Sequence, residues 1–481
     1  MPLLKLPNKA LLAAALLAGC ASGDPSTKVE LAPLAREAGF SPLPSSLDSG
    51  VRAAAAWWRA FGDPDLDRLV ARALAENPDL ATAAARVRES RALLIAVDAD
   101  LLPRLDAQLA LSSRRLSNQT GQNFPGMPRR TDVGTAGVQL SWEIDLWGRA
   151  ADRSLAALGD AESAAFRAAA AEVSLAAEVA RAWFAVRLAR EDAACLAADF
   201  DSRVDAIGMV ELQVTAGVAD GDALSAARLA AAQAKADELD AVRRLGAAEN
   251  ALRVLVGLPA GAVLPGTQPD LKTAPSVASQ PSFGAGLPSE LLLARPDIRA
   301  AERALDAALA REGSARAEFY PKLMLVGDAG WSADPAGNVG RSGSGFWALT
   351  PSLSLPIFDG ARNAAGVEVA QARVEAAAAG WKSAVLNAFR EVDNALIDLR
   401  ALATQEDLAG RVLAAVGERL ANAEARARAG LADRVEVEAA RRDVFLARRT
   451  FAGYAWQRRQ AAARLAAATG GGFPAGAGKG E

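Results

Sequence analysis

The chain has 481 residues, 51% hydrophobic and only 5% aromatic, with a formal net charge of −3 at neutral pH. It contains no histidine, which excludes histidine-ligated metal, a Ser-His-Asp triad and imidazole acid-base chemistry. No basic stripe with interleaved aromatics is present, so the charge pattern gives nucleic-acid binding no support.

At the N-terminus, Lys5 and Lys9 precede the apolar run Ala10 to Leu17 and then Ala18-Gly19-Cys20. That is the order of a signal peptide over 1–19: charged region, apolar region too short to span a bilayer, small-residue cleavage site. The last four residues resemble a bacterial lipobox, which implies cleavage before Cys20 and lipid on its thiol. The alternative is an ordinary secretory signal with an incidental cysteine. Ala21 follows instead of the aspartate that usually marks inner-membrane retention in such lipoproteins, so the resemblance points to the outer membrane. Residues 20–50, rich in Pro, Ser, Gly and Ala, read as lipid anchor and tether. The other cysteine, Cys195, falls mid-helix as a small buried hydrophobe.

Residues 51–257 form a first structural repeat. Trp57-Trp58-Arg59-Ala60-Phe61 leads into a helical apolar spacing up to Leu80. Pro78 and Asp79 open a second helix that Pro103 stops. A β-hairpin is expected at about 103–145. Leu105 to Ser113 is its outgoing strand, and Ala136, Val138, Leu140, Trp142 and Ile144 alternate with polar or small residues on the way back. A long proline-free helix is expected over 149–216, a glycine turn at Gly217 and a return helix over 218–256.

The chain then repeats itself. LSWEIDLWGR at 140–149 returns as LSLPIFDGAR at 353–362. A proline-rich connector, 258–286, leads into the second repeat, 287–470. This has a hairpin at about 321–358, a long helix over 362–429 and a return helix over 431–469; the tail 471–481 is expected to be disordered. Leu413, Val416, Leu420, Ala423 and Ala427 step by three and four, which is coiled-coil spacing. Each long helix runs about 100 Å, so a short helix and a return helix must stack end to end to cover it. The expected class is therefore mainly α with a small β part.

Two hairpins give four strands per chain, too few to close a barrel, and an open edge in lipid leaves backbone groups unpaired. Outer-membrane barrels start at eight strands, so at least two chains must pool theirs, and three would give twelve. Trp142, Trp147, Trp331 and Trp347 fall in or beside the hairpins, where interfacial aromatics belong. Core packing in a soluble sandwich is the other reading of these tryptophans.

The run WWRAFGDPDLDRL (57–69), LPSELLLARPDIRAAE (287–302), the two repeated strand-to-helix segments and the glycine turns resemble the TolC-like outer-membrane efflux lipoproteins. The resemblance spans nearly all of the chain after the signal. It implies a homotrimer with a transmembrane barrel of about 12 strands, an α-helical coiled-coil tunnel through the periplasm, and contact with outer-membrane lipid. It also implies docking to a periplasmic adaptor (membrane fusion) protein and an inner-membrane resistance-nodulation-division pump. Small molecules such as drugs, toxic compounds or metal ions would be the cargo, with selectivity largely in the pump. A type I protein-secretion channel of the same fold, and a lipid-anchored periplasmic scaffold without a channel, are the rival readings. No catalytic constellation, resident metal or cofactor is read from the residues.

By the same resemblance, Gly217, Val218, Gly430 and Leu431 lie at adaptor-facing turns, although a helix end requires glycine there on steric grounds alone. The candidate periplasmic gate comprises Asp433, Arg434, Glu436 and Glu438 at one turn and Asp220 and Asp222 at the other. Glu436 falls where the family carries an acid at its narrowest point, while Ala432 and Ala439 stand where other members can have charges. Capping-box spacing would by itself account for Asp433 and Glu436. The lipobox reading predicts that the protein takes up a labelled fatty acid and that Cys20→Ser does not; label on the Cys20→Ser protein would refute it.

Overall fold

Prolines set where helices begin and glycines where they end. The computed structural model describes residues 56–117, 128–264 and 295–471. The expected signal peptide and tether, most of the connector and the tail beyond residue 471 lie outside them. A 3-10 turn, Trp57–Phe61, precedes α1 (Pro64–Glu76) and α2 (Pro78–Asp98). Asp63 and Asn77, both extended, cap these helices by accepting two backbone N–H groups each. Because Asn77 is extended, α1 stops at Glu76, short of the Leu80 that periodicity suggested. The strands β1 (Arg104–Arg115) and β2 (Arg130–Ile144) follow, then α3 (Arg149–Thr215) and α4 (Gly221–Leu255). The second half repeats the order with α5 (Pro296–Ala317), β3 (Lys322–Ala333), β4 (Gly345–Ser354), α6 (Arg362–Arg428) and α7 (Arg434–Ala468). The return helices start three residues later than the glycines alone suggested, because the intervening residues form the turn and the next N-cap.

The long helices α3 and α6 have 67 residues each, about 100 Å of helix. On one flank of α3 lie α2 and α4; on the other lie α5 and α7, which α6 covers in turn. The α3–α5 approach is close: a Cβ on Gly159 would lie 3.0 Å from Ala307 Cβ and from the Arg303 carbonyl oxygen. Ser163 Oγ donates to the Ala300 carbonyl across the same seam at 2.8 Å. At the far end of α6, Ala423 packs with Val437 and Ala440, flanked by Leu420 and Ala427, the coiled-coil positions read from the sequence.

The short helices stack end to end, and the two repeats do so with different chemistry at equivalent places. In the first, Asn77 Oδ1 caps α2, while its Nδ2 donates to the Leu255 carbonyl at the end of α4 at 3.0 Å. In the second, Arg295 replaces it: Nη1 donates to the Ala468 carbonyl at 2.7 Å and Nη2 to Asp297 and Glu391. Burial of this guanidinium opposes its charge, but Asp297 and Glu391 outweigh that and raise its pKa. Each junction thus supplies donors to carbonyls that a helix end leaves unpaired.

The main apolar core forms beside the first junction. Trp57, Phe61, Leu66 and Leu69 pack against Trp183, Phe184, Leu252 and Trp456. Trp183 Nε1 donates to Asp63 Oδ2 at 2.7 Å, so the cap of α1 also satisfies a buried indole. Cys195 is a free, half-buried thiol whose pKa is raised, first by burial, which disfavours the reactive thiolate.

Losing both the cap and the donor in Asn77→Ala should destabilise the protein by about 2 kcal/mol. Asn77→Ser keeps a capping oxygen, loses the Nδ2 donor, and should cost about half as much. Denaturant midpoints for the two variants check this, and equal losses would count against the double role.

Candidate functional site

The four strands form one antiparallel sheet in the order β1-β2-β3-β4. Residues paired across strands share a face, and the register sorts the sheet cleanly. Leu105 pairs with Leu140, Leu140 with Gly327 and Gly327 with Leu349. The neighbouring row on that face runs Ala107, Val138, Ala329, Trp347, and the next Leu109, Ala136, Trp331, Gly345. The other face carries rows such as Asp106, Gln139, Asp328, Ala348 and Arg104, Ser141, Val326, Thr350. One face is therefore apolar and the other mainly polar, and the apolar one is uncovered: Leu109 is 81% exposed and Trp347 80%. Among the described residues, β1 and β4 each pair on one side only. No helix among the described residues is long and apolar enough to cross a membrane.

The four tryptophans expected at membrane interfaces divide into two pairs. Trp331 and Trp347 stand exposed on the apolar face toward its distal end. Trp142 lies on the same face near the helices, with Nε1 donating to the Leu101 carbonyl at 3.1 Å. Trp142 pairs with Leu325 and Trp331 with Ala136, a spacing of six residues or about 20 Å along the strand. Trp147 lies beyond β2, stacked on Tyr320 with ring centroids 5.0 Å apart and donating to the Pro321 carbonyl at 2.7 Å. Its visible role is to fasten the sheet to the helices.

A charged network at this joint was not legible in the sequence. Arg149 grips Glu143 through Nε and Nη2, at 2.9 and 2.6 Å, and reaches Glu318 at 3.3 Å. Arg153 and Lys322 also bind Glu318. Burial pushes the Glu318 pKa up, but Lys322, Arg149 and Arg153 outweigh that and hold it below its ordinary value. Its contribution is therefore present above the ordinary carboxylate range and is lost as pH falls through the depressed value.

At the opposite end lie the two helix turns. Gly217 and Gly430 are left-handed, with φ of 70° and 73°, which glycine adopts without a Cβ penalty. The next residues, Val218 and Leu431, donate back to the carbonyls of Gln213 and Arg426, both at 2.9 Å, the Schellman closure of a helix end. An apolar contact often accompanies this closure, yet these two side chains stay open to solvent: Val218 is 78% exposed and Leu431 71%.

Asp220 and Asp433 are N-caps, accepting from Ala223 and Glu436 N–H groups at 2.9 Å. The Glu436 carboxylate accepts from Arg426 Nη1 at 2.7 Å, across the α6–α7 turn, so its charge is directed to a neighbouring cation. Glu438, another gate candidate, has a side chain only 12% exposed, which accepts from Ser202 of α3 at 2.6 Å and from Arg441 at 3.1 Å. Asp222 and Arg434 remain exposed. Cys20 lies outside the described residues.

A cleft of about 880 Å³ opens where the α5–α7 junction meets α3 and α6. Two of its arginines are committed to carboxylates in its own wall, Arg295 to Asp297 and Glu391, and Arg464 to Asp398. Its wall is therefore largely ion-paired.

The chain matches the family described as outer membrane efflux protein over residues 69–258 and 287–471. It is 30% identical over 420 residues to the cation efflux system protein CusC of Escherichia coli O6:H1, covering 87% of this chain and 88% of CusC. A solved CusC structure superposes with a TM-score of 0.76 at 29% identity, covering 90% of this chain and 97% of the other. The probable outer membrane lipoprotein SilC of Salmonella typhimurium is 28% identical over 465 residues, 95% of this chain and 97% of SilC. The toluene efflux pump outer membrane protein TtgI of Pseudomonas putida is 33% identical over 339 residues, 70% of each chain.

The turn geometry makes a measurable distinction. Asp433→Ala removes a helix cap and should cost about 1 kcal/mol. Glu436→Ala removes one exposed ion pair and should cost well under about 1 kcal/mol. Denaturant titration decides; the reverse order would mean that Glu436 carries the cap.

Proposed function

This chain belongs to the outer membrane efflux protein family, and we propose that it forms a trimeric outer-membrane channel-tunnel, anchored through Cys20, that exports small molecules. The observation that carries this reading is the sheet: an exposed apolar face, a polar opposite face and two open edges. Three chains pairing β4 to β1 give a barrel of 3 × 4 = 12 strands, with apolar residues toward lipid, polar residues toward the pore and no free edge. A scaffold without a channel would leave Leu109, Trp347 and their neighbours in water. The flanks of the helical layer support the same assembly. No residue of α2 is buried, Leu93 and Ile95 on it are exposed, and Leu386, Ile397 and Leu408 on α6 are about half exposed, as surfaces awaiting a second chain would be.

The helices then continue the pore for about 100 Å, ending at the glycine turns. These turns, with Val218 and Leu431 exposed, would meet a periplasmic adaptor protein, which links the tunnel to an inner-membrane pump. Asp433, Arg434 and Glu436, with Asp220 and Asp222 at the other turn, would form the constriction. Three-fold symmetry makes any one of these acids a ring of three, and a carboxylate ring attracts cations. Drugs, toxic compounds and metal ions are all compatible cargo. CusC is named for cations and TtgI for toluene, and the chain is about equally similar to both.

Purified protein should elute as a trimer and give discrete conductance steps in planar bilayers; a monomer without conductance would overturn the channel reading. Val218→Glu and Leu431→Glu should lower adaptor cross-linking and leave the trimer intact. Unchanged cross-linking would remove those residues from the docking surface.

A further inference from the structure

The two ends of the sheet differ in their balance of arginine and carboxylate. At the end nearest the helices Arg104 pairs with Asp106, and Arg149 with Glu143 and Glu318. At the distal end, Arg114 and Arg115 close β1, and Arg129 and Arg130 open β2. Arg341 lies in the β3–β4 loop, which folds back on β2: Asp132 N donates to Asp334 Oδ1 at 3.2 Å. All five arginines are exposed. The acids of this rim are Asp132 and Asp334, and residues 118–127 between β1 and β2 carry none, so the rim holds 5 − 2 = +3 charges per chain. Asp132 pairs with Arg130 at 3.2 Å.

The register sharpens this. Arg115 and Arg130 stand directly opposite each other, and like charges at a cross-strand pair are unfavourable. By strand parity they stand on the apolar face, in line with Leu111, Leu109 and the row of Trp331. Moving outward, that face passes the row of Leu109 and Trp331, then Leu111, then Ser113 with Asp132, and ends at Arg115 and Arg130, six residues or about 20 Å along the strand beyond the tryptophan. Tryptophan marks a lipid interface, and the guanidinium fork suits bidentate binding of phosphate oxygens. A phosphate between Arg115 and Arg130 would turn their repulsion into a shared contact.

We propose that the distal rim, centred on Arg115 and Arg130 with Arg114, Arg129 and Arg341 beside them, is a binding site for the phosphate groups of lipids in the outward-facing leaflet. The site rests on the barrel reading, which places this rim at the membrane surface farthest from the helices. Bound lipid phosphates would ring the trimer at its three rims, one per chain, and fix its height in the membrane.

The test uses the full-length trimer in neutral detergent, with native mass spectrometry to count bound lipid. The probe is a bis-phosphorylated, acylated glucosamine disaccharide, compared with its dephosphorylated form and with inorganic phosphate. The phosphorylated lipid should bind at least about tenfold tighter than the dephosphorylated one, and Arg115→Gln with Arg130→Gln should lose about tenfold. Arg104→Gln, at the other end of the same strand, should bind like the parent protein. Equal binding of both lipids, or no loss in the double variant, would overturn the proposal. Displacement of the lipid by inorganic phosphate at equal concentration would overturn it in favour of a free-anion site. A trimer that conducts but shows no phosphate preference refutes this site alone, whereas a non-conducting monomer refutes the channel reading beneath it.

Discussion

A backbone N–H or carbonyl in hydrocarbon has no water to bond to, and each one left unpaired costs several kcal/mol. That constraint governs the whole chain. Its sheet of four strands has an apolar face suited to lipid and, among the described residues, two unpaired edges, so these strands alone cannot satisfy both lipid and their own backbone. Pooling strands removes the edges, and the bare flanks of α2 and α6 are the helical counterpart of the same incompleteness.

The helical part solves a different length problem. A helix of 67 residues needs a partner of equal reach, and neither a 35-residue nor a 21-residue helix supplies it. Stacking two of them end to end brings a carbonyl terminus against an amide terminus. Asn77 in one repeat and Arg295 in the other bridge that gap by donating to the last turn of the return helix. The duplicated architecture has kept the job while changing the residue. The joint between sheet and helices is held separately, by the Arg149 and Glu318 network and by Trp147 on Tyr320.

Much of this was legible because it is local or repeated. Pro78, Pro296, Gly217 and Gly430 act through their own backbone geometry, and the alternation through Val138, Leu140 and Trp142 records which face is apolar. What escaped the sequence depends on residues far apart in the chain. Glu438 reads from the sequence as one acid of a candidate gate, and only the fold shows that Ser202, on a different long helix, donates to it. Capping-box spacing suggested that Glu436 turns back to its own cap, but Arg426 across the turn holds its carboxylate. Trp147 follows a strand and reads as interfacial; the fold adds that its ring is stacked and hydrogen-bonded within the joint. In each case spacing restricted the possibilities and a distant partner chose among them.

The central claim is that the apolar face of the sheet meets lipid while the polar face meets water, and β4 tests it most directly because all its residues are exposed in the single chain. Nitroxide labels at Leu349 and at Thr350, adjacent residues on opposite faces, can be read in protein reconstituted in lipid vesicles. The account predicts that the label at Leu349 is relaxed by oxygen dissolved in the bilayer and the label at Thr350 by a water-soluble nickel complex. Equal access of the nickel complex to both positions would contradict it.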